Sequence, residues 1–247
     1  ISPSKAQMID FQTPNQHGVI GSIMWVVSGT TWIGYNQFNM KPIFNLTGVP
    51  TGTEVYTNDG SIVRYILTYN TTSKTGSLAL WNDTAAITSS SLLYNGAGWP
   101  NSGTPVINAS TSSSYSWNVT VTGDITGATA PTIVGIIPGD VILGRSSNVG
   151  LSSLPNPNSN PWTMWAISDK PETRGQILWT KNYAAPANNI TRMLAWQPID
   201  PVTRAWTMTD FETGQRSAFS LTTGEMLWGP IGSQPGFQYY SSREGLP

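Results

Sequence analysis

The side chains of this chain that could do acid or base chemistry are thirteen Asp and Glu and a single histidine, with no cysteine. Two acid pairs lie close in sequence, Glu54 with Asp59 and Asp210 with Glu212. Glycoside hydrolysis needs such a pair facing across a cleft, about 5 to 9 Å apart. Yet Asp59-Gly60 and Asp210-Phe-Glu-Thr-Gly214 are hairpin-turn sequences, in which Asp holds the backbone and Gly takes the left-handed conformation. Turn chemistry accounts for both pairs, and no catalytic residue is assigned. His17, in Pro14-Asn-Gln-His-Gly18, reads as a loop residue, because one histidine supplies neither a multi-histidine metal centre nor a well-partnered relay. The oxygens of Asn156-Pro-Asn-Ser-Asn160 and of Asp124 suit calcium by type, but the regular Asp-x-Asp-x-Asp-Gly spacing is missing, so the residues permit calcium without specifying it. No phosphate-binding glycine loop follows a strand.

Composition narrows the classes further. Charged residues make up 10% of the chain, against roughly 25% in an average domain. Ser and Thr together approach a quarter, and 24 Gly and 18 Pro add to them, so hydroxyls, amides and turns must cover the surface. The net charge is −1 and the basic residues are scattered, which argues against a nucleic-acid partner. Six Asn-x-Ser/Thr sequons, at Asn45, Asn70, Asn82, Asn108, Asn118 and Asn189, are acceptors for N-glycans. A secreted or cell-surface glycoprotein is expected. With no apolar run of about 18 residues, neither a membrane span nor a leader is expected within the chain. Its start at Ile1 reads as a processed product or a piece of a longer precursor.

The elements that must position these residues are strands. Short β-branched and aromatic runs stop at Gly, Pro, Asn or Asp, and no window keeps a 3.6-residue apolar period. The chain is expected to be all-β, a single repeat domain over 1–247. The stretch Gln215 to Trp228 gives a strand, a tight turn and a strand ending in Trp. That pattern recurs at Trp165 to Trp179, more loosely at Trp32 to Gly48, and once more if Ser77-Leu-Ala-Leu-Trp81 precedes Ser114-Tyr-Ser-Trp117 across an insert. Adding the two strands before each gives four four-stranded antiparallel units, at about 7–48, 53–122, 131–183 and 190–229. A Ser/Thr-rich insert at 83–113 interrupts the second unit, and a tail follows at 230–247. Phe44, Trp117, Trp179 and Trp228 then fall at equivalent places. Four-stranded units at this spacing are β-propeller blades, and blades must stack to bury both faces, so Phe44, Trp81, Trp117, Trp165, Trp179 and Trp228 are expected to pack between sheets. The alternative is a β-sandwich of unrelated hairpins. Trp99 in the insert and Tyr239 and Tyr240 in the tail are the aromatics left for contact with a partner, such as carbohydrate or protein.

The segment Leu221-Thr-Thr-Gly224-Glu-Met-Leu-Trp228 resembles the tryptophan-docking motif of quinoprotein-like (PQQ-like) β-propellers, in which a Thr-Gly turn precedes a strand ending in Trp. Gln176-Ile-Leu-Trp179 is a second instance. The segments Phe44 to Tyr56, Gly60 to Tyr65 and Leu78 to Asn82 are similar to secreted archaeal proteins with PQQ-like repeats. The resemblance implies a propeller, usually of about seven or eight blades, of which four would form an open arc or close on themselves. It does not carry the cofactor over. Quinoprotein dehydrogenases stack the quinone against a disulfide of adjacent cysteines and hold Ca²⁺ with Glu, Asn and Asp, whereas this chain has no cysteine, so neither PQQ nor another cofactor is expected. A fold alone does not fix a function. The leading expectation is a non-catalytic scaffold or binding module whose partners are further blades or other copies of itself. The alternatives are a quinoprotein oxidoreductase or carbohydrate-active propeller, and an extracellular filament or lattice subunit using a donated strand.

Overall fold

The computed structural model describes residues 2–8, 22–89, 104–147, 150–151, 161–185, 187 and 190–232. Four sheets follow one another along the chain. The first holds β1 (Lys5–Met8), β2 (Ser22–Ser28), β3 (Thr31–Asn36) and β4 (Pro42–Thr47). The second holds β5 (Thr53–Tyr56), β6 (Ile62–Asn70) and β7 (Thr75–Asn82). After a helix α1 (Asp83–Thr88) and a short strand β8 (Val106–Asn108), β9 (Tyr115–Thr122) completes it. The third holds β10 (Thr132–Ile137) and β11 (Val141–Arg145) and, past the two-residue β12 (Gly150–Leu151), β13 (Trp162–Ser168) and β14 (Ile177–Tyr183). The fourth holds β15 (Arg192–Asp200), β16 (Ala205–Asp210), β17 (Arg216–Ser220) and β18 (Met226–Ile231). Each is an antiparallel meander. Two insert strands add parallel edges, β8 beside β4 and β12 beside β15.

The chain is all-β with one short helix. Alternation along β2 and β3 buries Ile23, Trp25 and Trp32 on one face, the period of two that a half-covered strand requires. β13, by contrast, is buried at every position, as expected of an apolar run covered on both faces.

Two places differ from the strand pattern expected. The first strand begins at Lys5, before the expected start at about 7, and is described to Met8; 9–13 of the expected span lie outside the described residues. Gln7 fixes that register: its buried amide accepts the Trp25 indole N–H at 2.7 Å and donates to the Gly60 carbonyl at 2.9 Å. The insert after Asn82 carries its own structure. The Asn82 carboxamide caps α1 by accepting the Ala85 N–H at 3.1 Å, satisfying one of the free donors of a helix start. Ala86 and Ile87 then enter the core, and Ile107 of β8 joins them.

The fold divides into two compact units, residues 1–68 with 77–119 and residues 69–76 with 120–247. In the first, the core is Ile23, Trp25, Trp32, Phe44, Leu46, Ile62 and Trp81 with the insert residues. In the second, Leu143, Trp162, Met164, Trp179, Trp206, Met208, Phe219 and Leu221 form the core.

One turn design recurs between strands. In Ser220 to Glu225, Ser220 N–H donates to the Glu225 carbonyl and Gly224 N–H to the Ser220 carbonyl, both at 2.8 Å, while the Ser220 hydroxyl accepts from Thr222 and Thr223. The same pair of backbone bonds closes Asn36 to Lys41 and Asp210 to Gln215. The fifth residue takes positive φ, +72° at Gly224 and +54° at Met40. The polar first residue stands in for a turn of backbone, which is why Asn, Asp and Ser occupy it.

Candidate docking interface

The outer strand β14 docks on the turn between β17 and β18, within the second unit. The Trp179 indole N–H donates to the Leu221 carbonyl at 2.8 Å, and its ring lies over Gly224. A Cβ at Gly224 would fall 2.8 Å from a Trp179 ring carbon, so any larger residue there would push the ring out of its seat. Side chains at alternate positions of β14 extend the joint. Lys181 pairs with Glu225, and the Tyr183 hydroxyl donates to the Gly224 carbonyl at 2.5 Å. Burial pushes the Tyr183 phenol up, with Glu225 adding to the effect, so the hydroxyl remains a donor at all ordinary pH. Beneath it Trp162 stacks on Tyr183 at 3.9 Å and Trp206 on Phe219 at 4.4 Å, the two stacks standing perpendicular to each other. The joint is an aromatic contact with a few directed polar bonds, the composition of an interface core.

The other aromatics are placed as follows. Phe44 is fully buried, edge-on to Trp25. Trp81 is fully buried, its indole donating to the Ala109 carbonyl at 2.7 Å. Trp165 donates to the Ser146 hydroxyl at 3.0 Å and fills the space where Gly144 lacks a Cβ. Trp117, on the edge strand β9, is half-buried beside Tyr65. Trp228 departs from the packing expected of it: on the edge strand β18 it is 42% exposed. Met226, Leu227 and Ile231 of the same strand are also exposed. A shallow cleft of about 340 Å³ runs beside Trp228, lined by Gly214, Arg216, Ile231 and Gly232. Trp99, Tyr239 and Tyr240 lie outside the described residues.

The sequons divide by setting. Asn70, Asn108 and Asn118 are exposed. Asn45 sits inside β4 with strands on both sides, its side-chain oxygen buried without a hydrogen bond. Asn82 is the α1 cap, and Asn189 lies outside the described residues.

The acids serve turns and ion pairs. Glu54 pairs with Lys5 and, at 2.9 Å, with Arg64, and both cations lie over the Trp32 ring. Asp59 bonds to Thr57 and Ser61 in its own turn, and the Thr57 hydroxyl holds its carboxyl below the usual range. Asp210 accepts Arg192 at 2.6 Å. Burial works against ionisation of Glu212, but two bonds from Thr191 outweigh it and lower its pKa. The two pairs named as carboxylate candidates are thus occupied separately. Asp124 is held down by Lys74 and Thr126. His17 and Asn156 to Asn160 lie outside the described residues, among which no three metal-binding side chains gather. No described helix is long and apolar enough to cross a membrane.

Two clusters carry no sequence signature. The Lys5, Glu54 and Arg64 group around Trp32 joins residues 49 positions apart. Asp83, fully buried, accepts the Ile62 N–H at 2.8 Å, and burial raises its pKa to about 7. Only its place directly after a capping Asn hints at an unusual setting.

The chain matches no protein-family model and no curated protein.

Proposed function

We propose that this protein is a β-propeller segment of a secreted or cell-surface glycoprotein, acting as a non-catalytic scaffold or binding module within a larger extracellular assembly. The observation that carries the reading is the Trp179 joint, in which the outer strand of one four-stranded meander docks on the last turn of the next. Repeated sheets that bury an outer-strand Trp against their successor are how propeller blades stack. A PQQ-like repeat ancestry fits the Thr223-Gly224 turn that receives the indole. The scaffold role is supported by acids engaged in turns and ion pairs, and the surface location by sequons at the exposed Asn70, Asn108 and Asn118.

Glycopeptide mass spectrometry on protein purified from its natural source tests the reading. Sugar is expected on Asn70, Asn108 and Asn118, and none on Asn45, whose side-chain oxygen is buried. Finding every sequon peptide unmodified would remove the glycoprotein part of the proposal.

A further inference from the structure

Both halves of one aromatic joint stand exposed in a single chain. The donor half is Trp228. It follows Gly224 by four positions, as Trp179 follows Gly175, and both glycines have positive φ. Each Trp lies on the last strand of its meander. Trp179 is 8% exposed because the fourth sheet's turn covers it, whereas Trp228 is 42% exposed.

The acceptor half is the turn between β3 and β4 of the first sheet, the same place in the meander as the turn that receives Trp179. Its bonds repeat those of the Trp179 acceptor one for one. Asn36 N–H donates to the Lys41 carbonyl at 2.9 Å and Met40 N–H to the Asn36 carbonyl at 2.8 Å. The Asn36 side chain accepts from Phe38 and Asn39, as Ser220 does from Thr222 and Thr223. Lys41 N–H donates to the Asn39 side chain as Glu225 N–H does to that of Thr223. Positive φ falls on Met40 where the other turn has Gly224. Phe38 is 83% and Met40 38% exposed.

We propose that copies of this chain associate head to tail, Trp228 of one copy docking on the Asn36–Lys41 turn of a second. This deepens the assembly part of the proposed function and rests on it. A second copy is the occupant because each chain offers both halves uncovered, and because the donor strand is apolar. Its neighbouring acid, Glu225, is paired with Lys181, and the receiving turn carries no acid, only Lys41. The contrast with β9 points the same way: that edge strand exposes Ser116, Asn118, Thr120 and Thr122, a polar face with a sequon, while β18 exposes Met226, Leu227, Trp228 and Ile231. Polar edges keep sheets apart and apolar ones invite partners. Because the two halves are different surfaces, the contact is heterologous and builds a ring or an open filament rather than a closed two-fold dimer.

The joint predicts an asymmetry between its two sides. Met40 places a Cβ where Gly224 leaves the space that the Trp179 ring uses, and the same Cβ at Gly224 would sit 2.8 Å from the ring. Removing it should therefore tighten the contact. The test is sedimentation velocity of the full chain over a wide concentration range, with Trp228→Ala and Met40→Gly alongside. The wild type is expected to associate with rising concentration. Trp228→Ala should weaken association by at least about 30-fold, as loss of an interface anchor does, with an unchanged far-UV spectrum. Met40→Gly should strengthen it by about fivefold or more, relieving an overpacked contact. A wild type that stays monomeric throughout, or association indifferent to Trp228→Ala, overturns head-to-tail docking. Association lost with Trp228→Ala but not strengthened by Met40→Gly overturns the choice of turn. Neither result touches the glycoprotein reading, which the glycopeptides decide.

Discussion

Trp179 and Trp228 are the same residue at equivalent places in two sheets, and their surroundings predict opposite costs of removal. Trp179→Ala deletes a nearly buried ring that also satisfies the Leu221 carbonyl, and should destabilise the protein by about 3–5 kcal/mol. Trp228→Ala should cost less, about 1–2 kcal/mol in dilute monomer, because the residue is already 42% exposed. Chemical denaturation of the two variants checks the difference, and equal losses would mean that Trp228 is covered in solution. Asp83 supplies a second test at this scale. Its folded pKa, about 7, lies above the ordinary 3.8, so the folded state holds its proton more tightly than the unfolded chain. This residue's contribution is therefore greatest below about pH 4, falls as pH rises through 7, and is flat above, a span on the order of 4 kcal/mol. Asp83→Asn should abolish that slope and leave the variant more stable than wild type at pH 8. Denaturation midpoints across the pH range measure it, and an unchanged slope would place the carboxylate in contact with water.

The turns and strands show how much of the element scale can be read without coordinates. β-branched and aromatic runs such as Ile62 to Tyr69 and Trp162 to Ser168 end at turn residues, so the sixteen meander strands are legible to within a few positions. β8, β12 and α1 are not. A parallel strand of three residues or two has no pattern of its own and exists because β4 or β15 offers an edge. α1 is only six residues long, held by the Asn82 cap and by Ala86 and Ile87 in the core. The turn before Trp228 is visible as Thr-Thr-Gly, but that it receives Trp179 is not, because the partner lies 42 positions away in another sheet. The recurring turn makes its own prediction. Lys74, like Met40, holds a positive φ, +53°, a conformation that costs a residue with a Cβ about 1–2 kcal/mol. Lys74 also pairs with Asp124 at 2.5 Å, but both partners are about half exposed, where such a pair adds little. Lys74→Gly should therefore raise stability by about 1 kcal/mol in thermal denaturation. A fall of that size would show that the ion pair outweighs the backbone.

For the whole molecule, the central claim is that the outer-strand Trp179 of the third sheet is seated on the last turn of the fourth, and that the equivalent Trp228 of the fourth is left for a neighbour. Each of the two compact units has its own aromatic core, so a second chain can dock on either without either core being rebuilt. Edge strands that remain unpaired are a hazard in dilute solution and a means of assembly in a surface layer. Which sequons are open is set by side-chain exposure: Asn70, Asn108 and Asn118 face solvent, while the side-chain oxygen of Asn45 is buried. The measurement that tests this account most directly is an electron cryomicroscopy map of the natively purified particle with its neighbours in place. The account predicts Trp228 seated on the Asn36–Lys41 turn of an adjacent copy, with sugar density at Asn70, Asn108 and Asn118. A lone chain with Trp228 bare, or an assembly built through other surfaces with that strand still in solvent, would contradict it.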